Sequence, residues 1–545
     1  MRTKTITLDP ENLPDDLKLL KTLIIDLISE LKNKQSDIDL LREHLMKALR
    51  HRFGRHSETI ALNQMALFEQ LIAEQLADVP AMEKPEAREE KVPVKGHGRR
   101  KPSKELPKKT EVFPLAEEKK CCPECQGAMK KIGDETRTEL EWVPASVYVH
   151  EMVAEKYACP KCQDGVVTSE LPTAPIVRGM AGPGLLAHVI TSKYADFLPL
   201  HRQVRIFQRH GLDVNDSTLN DWVGQSAHLF EPLMTLWKTE LLKSKVIHSD
   251  ETPVAVLEPR PKKGEGRREG VVDPVTGQPT ERKAARQGRL WVYVGDPRNP
   301  YTVFDYSPDR KGEWPRSFLE GWKGHLQADG YGGLDRLYTS GDILEVGCWS
   351  HARRKFKDAI TTDKVRSQSA LAFIRKLYDV EMLTHDVDET IRREMRQKHA
   401  KPVLVKFREW LDAQSMVVLP KSLMADAIGY ARNQWGALIR YPDNGALNID
   451  NNTAERALRR VALGRKNWMT LGTDEGGRWA ATFFSIVATC ERLDIDPFVY
   501  LRDVLSRLRI HPVDRLHELL PPHWKAAKEA PAQPTPLPIP QTLAA

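Results

Sequence analysis

The sequence has no run of about 20 apolar residues able to span a bilayer. Its opening, MRTKTITLDPENLPDD, has no apolar core of a signal peptide. The chain therefore reads as cytoplasmic, with no membrane partner. It also lacks a strong charge of either sign, with a formal net charge of +7 over 545 residues. Clustering carries more information: Lys and Arg gather in short segments while the acids are spread evenly, which suits an anionic polymer better than a small acidic substrate. Cysteine is scarce and odd in number, seven in all, and four fall in two C-x-x-C pairs. In a reducing compartment that spacing points to metal rather than disulfides.

A chain of this length exceeds one hydrophobic core, so roughly three or four domains are expected. Residues 1–78 read as an N-terminal helical region. Leu17, Leu20, Ile24, Leu27, Leu31, Ile38, Leu41, Leu45 and Ala48 alternate in steps of three and four, with Lys34 as the polar break. This is the pattern of a coiled coil and predicts a homo-oligomer. Residues 79–119 form a basic, Pro-rich linker.

Residues 120–178 carry Cys122-x-x-Cys125 and Cys159-x-x-Cys162, four thiolates for one tetrahedral structural Zn2+. The segment between them, LEWVPASVYVHEMVAEKYAC, reads as strand, so the whole predicts a zinc ribbon. Residues 179–243 outline a helix-turn-helix, with a first helix ending at Gly211 and Ser217 or Asp216 as N-cap of the second. Thr218, Asn220 and Asp221 then lie near the start of the possible recognition helix.

From 244 to 485 the pattern is α/β. KSKVIHSDETPVAVL is a strand on which Asp250 and Glu251 point to opposite faces, so one of the two serves a given site. A charge-rich stretch, 258–289, precedes a hairpin of RLWVYVGD and YTVFDYS. GHLQADGYGGL is a strand ending at Asp329, with Gly330 giving the backbone freedom to turn. ILEVGCWSHARRKFKDAI runs from strand into helix, and a helical insertion covers about 358–440. On a helix through 451–462, Asn451, Asn452, Glu455 and Arg459 share one face, while Ala454, Ala457, Leu458 and Val461 can pack on a sheet.

Three carboxylates, Asp250, Asp329 and Glu455, could thus converge above a sheet and hold Mg2+ through oxygen ligands. The plainer reading stands beside it: Asn452-Thr-Ala-Glu455 fits a capping box, and Glu455 with Arg459 an i, i+4 ion pair. Spacing does not single out three acids among 75. Residues 486–525 read as a C-terminal helical segment and 526–545 as a disordered tail.

At these residues the chain resembles a bacterial transposase of the insertion sequence 66 family. The motifs occur in order: RFGRHSE (52–58), the double C-x-x-C, HSDETPV (248–254), QADGYGGL (327–334), CWSHARRKF (348–356), NNTAERALR (451–459), GRKNW (464–468) and IVATCERLDIDPFVYL (486–501). The resemblance implies a multidomain α/β chain whose catalytic core is ribonuclease H-like. It implies a DDE triad of Asp250, Asp329 and Glu455 with two Mg2+ (or Mn2+) ions, cleaving and joining DNA. Cys348-x-x-His351 is similar to a C-x-x-H motif between the second and third acids of many DDE transposases, read here as structural.

Arg353, Arg354, Lys355, Arg456, Arg459, Arg460, Arg465 and Lys466 are the expected phosphate contacts near the site, with Thr218 and Asn220 in the helix-turn-helix. Expected partners are transposon ends, target DNA and accessory transposition proteins, in a nucleoid-associated cytoplasmic setting. The chain shows no serine or tyrosine recombinase pattern. Two other classes stay open at this level: a non-catalytic DNA-binding regulator, and a metal-dependent nuclease without joining activity.

Overall fold

The computed structural model describes residues 17–53, 146–158, 166–257 and 285–529. The chain divides into two compact units, 1–80 with 153–209 and 213–545, and 81–152 with 210–212. Of the second, the described residues 146–152 are exposed and carry no strand. Of the segment expected to be strand through Cys159, the described residues 146–155 are irregular. Its alternating apolar residues, such as Val149 and Val153, have no covering layer among the described residues and are exposed.

In the first unit, helix α1 (Leu17–Phe53) is continuous across the predicted heptads. Strands β1 (Lys156–Ala158) and β2 (Val166–Thr168) pair antiparallel, so the second C-x-x-C lies on the connection between them. All four cysteines expected to hold zinc, Cys122, Cys125, Cys159 and Cys162, fall outside the described residues.

Helices α2 (Pro183–Tyr194), α3 (Leu200–Arg209) and α4 (Asp216–Leu241) follow. Gly211 adopts φ +79°, the left-handed conformation that ends a helix at no side-chain cost. The N-cap of α4 is Asn215, one residue before Asp216 and two before Ser217, the expected caps; its side chain accepts the Thr218 N–H at 2.8 Å. Ser217 and Thr218 donate their hydroxyls to the same oxygen, and Asn220 and Asp221 are exposed. The rest of α4 is a core element, with Leu219, Val223, Phe230, Leu233 and Trp237 essentially inaccessible.

The central sheet has strand order β5-β4-β3-β6-β7. Strands β3 (Val246–Leu257), β4 (Ala285–Val294) and β5 (Thr302–Ser307) are antiparallel neighbours, the last two forming the expected hairpin. Residues 285–289, expected in the charge-rich stretch, belong to β4; residues 258–284 are outside the described set. Strands β6 (Gly324–Gln327) and β7 (Ile343–Val346) run parallel to β3. In β4 the run Leu290, Trp291, Val292, Tyr293, Val294 is buried on both faces, as a covered central strand requires.

After β7 come α5 (Trp349–Ala359), then the helical insertion with α6 (Lys364–Leu383), α7 (Lys401–Ser415) and α8 (Leu423–Asn433). Trp349 and Phe356 of α5 join Phe373, Phe407 and Trp435 in one aromatic cluster, with Phe373 stacked on Phe407 at 4.9 Å. The insertion is thus welded to the core through α5. Helix α9 (Asn452–Trp468) lies over β3 and β4.

Helix α10 (Asp474–Arg492) runs along β5, and α11 (Pro497–Arg507) packs on α2. β5 is the sheet edge, and α10 satisfies its outward amides: Ser485 Oγ accepts from Phe304 N at 2.8 Å, and Thr489 Oγ1 from Thr302 N at 3.0 Å. No helix among the described residues is long and apolar enough to cross a membrane.

Candidate active site

Asp250 is in β3 where its parallel pairing with β6 has just ended, at His248–Gln327. Asp329 follows β6 by two residues, not at its last position as the sequence predicts. Glu455 is in the first turn of α9. The three acids are electrostatic neighbours: burial, together with the Asp329 and Glu455 charges, pushes the Asp250 carboxyl up to about 7. An open depression of about 720 Å³ is lined by Asp250, Thr252, His351, Arg354, Glu455 and arginines of α9.

Glu251 has a different role. Its carboxylate is held by Arg289 at 3.3 Å and Arg310 at 2.6 Å, and its side chain is only 8% exposed. Gly330 is not in the left-handed region; a Cβ there would come within 2.9 Å of Gln434. Close approach of the insertion, rather than a special turn, therefore selects glycine beside Asp329.

The sequence reading missed what holds the acids in register. Asn451, expected on the outward face, is fully buried and is the N-cap of α9; the expected Asn452–Glu455 capping box does not form because Asn452 is already the first helical residue and its amide donates to Asp450. Asn451 Nδ2 donates to Ser249 O at 2.7 Å, its Oδ1 faces His248 Nδ1 at 3.2 Å, and its backbone N–H donates to Cys348 Sγ at 3.2 Å. One residue thus ties the Asp250 strand, the loop after β7 and the start of the Glu455 helix. Asn448 completes the tie: its Nδ2 faces His248 Nε2 at 3.3 Å, and its carbonyl accepts from Gln327 Nε2 at 2.7 Å.

With Asn451 Nδ2 committed to Ser249, its Oδ1 must accept, so His248 carries its proton on Nδ1 and accepts on Nε2. Burial holds this imidazole down at about 4, so it is neutral. His248 and Gln327 each stand two residues before an aspartate, His248 on the face of β3 that carries Asp250. That shared offset is the signal that could have found them.

The same loop is gripped from the insertion. Arg396, buried, pairs with Glu381 and donates to the carbonyls of Tyr441, Asn444 and Leu447. Tyr378 donates to Asp450 at 3.0 Å.

The cations divide into two groups. Arg354 stands 3.8 Å from Glu455, while Arg456 and Arg459 are exposed beside the depression. Arg465 lines it too, donating to Thr252 Oγ1 and Pro253 O. Lys355 lies over the Tyr430 ring, and Lys466 is exposed. Arg353 is half-buried, with a partner of its own. Arg460, also expected to meet phosphate, has its guanidinium bound to Glu491 of α10 at 2.5 Å and a side chain 14% exposed, so it ties two helices. Glu455 faces His351 and Arg354, both on α5, in place of the expected ion pair within its own helix.

The family model described as "Transposase IS66 family" matches residues 178–270 and 273–479, which is more than half of the chain. The chain belongs to the IS66 transposase family. Further family models match beside it: the zinc-finger binding domain of transposase IS66 over 119–163, the IS66 C-terminal element over 485–521, and a model described as "Transposase C of IS166 homeodomain" over 40–112.

Among curated proteins, this IS66 chain is 31% identical over 522 residues to "Uncharacterized protein y4hP" of Sinorhizobium fredii, covering 90% of the chain and 89% of that protein. It is 28% identical to y4jD and to y4qI of the same organism, covering 75% and 74% of the chain and 79% and 74% of those proteins. No solved structure matches. Membership implies transposase activity, DNA binding, a zinc-finger segment and divalent-metal use.

Proposed function

We propose that this IS66 chain is a DDE transposase that binds insertion-sequence ends, cleaves a phosphodiester there and joins the freed 3′ end to target DNA. The observation that carries the reading is that Asp329 and Glu455, from elements far apart in sequence, lie near enough to Asp250 for their charges to act on it, with Asp250 and Glu455 lining an arginine-rich depression. The strand order, three antiparallel strands followed by two parallel ones with the first acid on the central strand, supports a ribonuclease H-like core.

The donor set fits hard divalent cations. It is all oxygen, and burial, with the Asp329 and Glu455 charges added, raises the Asp250 carboxyl, so a bare anion there is costly. Asp250, Asp329 and Glu455 would hold two Mg2+ or Mn2+ ions, supplying charge neutralisation and activation at the scissile phosphodiester. In cleavage, water adds to phosphorus and the 3′ oxygen leaves as a hydroxyl. In joining, that hydroxyl attacks target phosphorus in line and displaces a target oxygen.

Arg354, Arg456 and Arg459 orient the phosphates. Asn451 and His248 keep Glu455 in register with Asp250. The exposed turn of α4, with Thr218 and Asn220, and a zinc ribbon on Cys122, Cys125, Cys159 and Cys162 contribute end recognition.

In a single chain, α1 leaves Leu17, Ile24, Leu27, Leu31, Ile38, Leu41 and Leu45 exposed, which supports pairing of two copies there. The test is a labelled transposon-end duplex with full-length protein and Mg2+. Cleavage plus strand transfer is expected; cleavage alone makes it a nuclease, and binding alone a regulator.

A further inference from the structure

Cys348, His351 and Glu455 offer one sulfur, one nitrogen and one oxygen within 4.8 Å of one another. No other group of three such ligands occurs among the described residues. His351 Nδ1 and Glu455 Oε1 face each other at 3.7 Å, too far for a hydrogen bond; both atoms are buried, and neither has a hydrogen-bond partner. Two lone-pair atoms left so, in a site otherwise tied together by hydrogen bonds, are what a shared cation would satisfy.

The sulfur is prepared in the same sense. Burial pushes the Cys348 thiol up to about 11, so it is protonated without a cation, while the backbone N–H groups of His351 and Asn451 that its Sγ accepts favour the thiolate once a cation displaces the proton. Cys348 caps α5 and His351 sits in its first turn, so the pair is fixed by one helix start. Asn451, bonded to that sulfur, also begins the Glu455 helix.

The geometry points to a second cation site at Cys348, His351 and Glu455, selective for a zinc-class ion. A thiolate and an imidazole exclude Mg2+, which takes oxygen ligands, and favour Zn2+ or Co2+. Loading exchanges the Cys348 proton for the cation and releases that proton to solvent. Three protein ligands leave a fourth position open, on the side where His351 and Glu455 line the depression. Glu455 contributes Oε1 here and keeps Oε2 for the oxygen-only set. The site does not depend on DNA cleavage by this chain, and its test is read without DNA.

Full-length protein is loaded with Zn2+, dialysed against buffer containing Mg2+, and its zinc counted per chain. Cys348→Ser and His351→Gln are each expected to lower the count by one equivalent relative to wild type, whatever the ribbon cysteines hold. Asp250→Asn should keep the wild-type count while removing activity. With Co2+, the sulfur-to-metal charge-transfer absorption should fall in Cys348→Ser by one cysteine's share. Equal melting of variant and wild type in chelator checks folding, and His351→Gln gives the same reading should the serine variant fail to fold. Equal zinc in wild type and both variants overturns the proposal. Loss of the equivalent in Asp250→Asn also overturns it, because the ion then belongs to the oxygen set.

Discussion

Two adjacent carboxylates on β3 have opposite surroundings. Glu251 lies between Arg289 and Arg310, and its charge is compensated within the fold. Asp250 feels the charges of Asp329 and Glu455 instead, and its carboxyl is pushed up to about 7 by burial and those neighbours. A buried acid with a cation beside it is part of the architecture. One placed among other acids costs stability, and such sites are where cations or substrates bind. The distinction comes from neighbours far along the chain and not from position on the strand.

The largest effect that tests this contrast is Asp250→Asn. Removing the acid should lower end cleavage by at least roughly a thousandfold while DNA binding holds and the melting temperature does not fall. Full cleavage with unchanged binding would remove Asp250 from the proposed triad. Glu251→Gln should do the reverse. It leaves two guanidinium groups without their carboxylate, at a cost of about 2 kcal/mol, moderated because Arg310 is half exposed. Chemical denaturation reads the loss, and cleavage per folded molecule should change little.

Asn451→Ala lies between these two. It deletes the bonds to Ser249 and His248 and leaves the Ser249 carbonyl buried without that partner. A stability loss of about 2 kcal/mol is expected, with a fall in cleavage larger than the fall in folded fraction. Unaltered cleavage per folded molecule would show that the acids keep their register without this tie.

Much of the frame was legible because it depends on local pattern. The β4–β5 hairpin, the β7–α5 junction, the helical insertion and the buried Ala454–Leu458–Val461 stripe follow from period and turn chemistry. The tie through His248, Gln327, Asn448 and Asn451 was not legible. Each is a polar residue whose partner lies on another element, and a sequence cannot show that an asparagine at a helix start is buried. The pairing of Arg460 was illegible for the same reason: nothing local separates it from Arg459, yet Glu491 of α10 claims one and leaves the other exposed. The C-x-x-H pair was visible, but its third partner Glu455 emerges only when α5 and α9 are brought together.

That pair of arginines gives a smaller and sharper comparison. Arg459→Ala should weaken end binding several-fold and make the slope of log K against log salt shallower by about 0.9, the signature of one lost phosphate contact. Arg460→Ala should leave the slope unchanged and instead lower stability by about 1 kcal/mol, by releasing Glu491. Equal slopes for both variants would place Arg459 outside the DNA path.

The smallest expected effect extends the contrast to a third acid. Asp305 of β5 is, like Asp250, raised by burial, from 3.8 to about 6, but the charges facing it are cations, Lys238 of α4 and Arg478 of α10, with Tyr293 of β4 alongside. A folded value above the unfolded one means that the native state binds the proton more tightly. Its ionisation therefore costs stability at pH above about 6, and that cost disappears as pH falls toward 3.8. Asp305→Asn should be more stable than wild type at neutral pH by on the order of 1 kcal/mol, reduced by the two cations, with the gap closing in acid. Urea titrations at several pH values read it. A gap that persists unchanged below pH 4 would mean that packing, not charge, separates the two side chains.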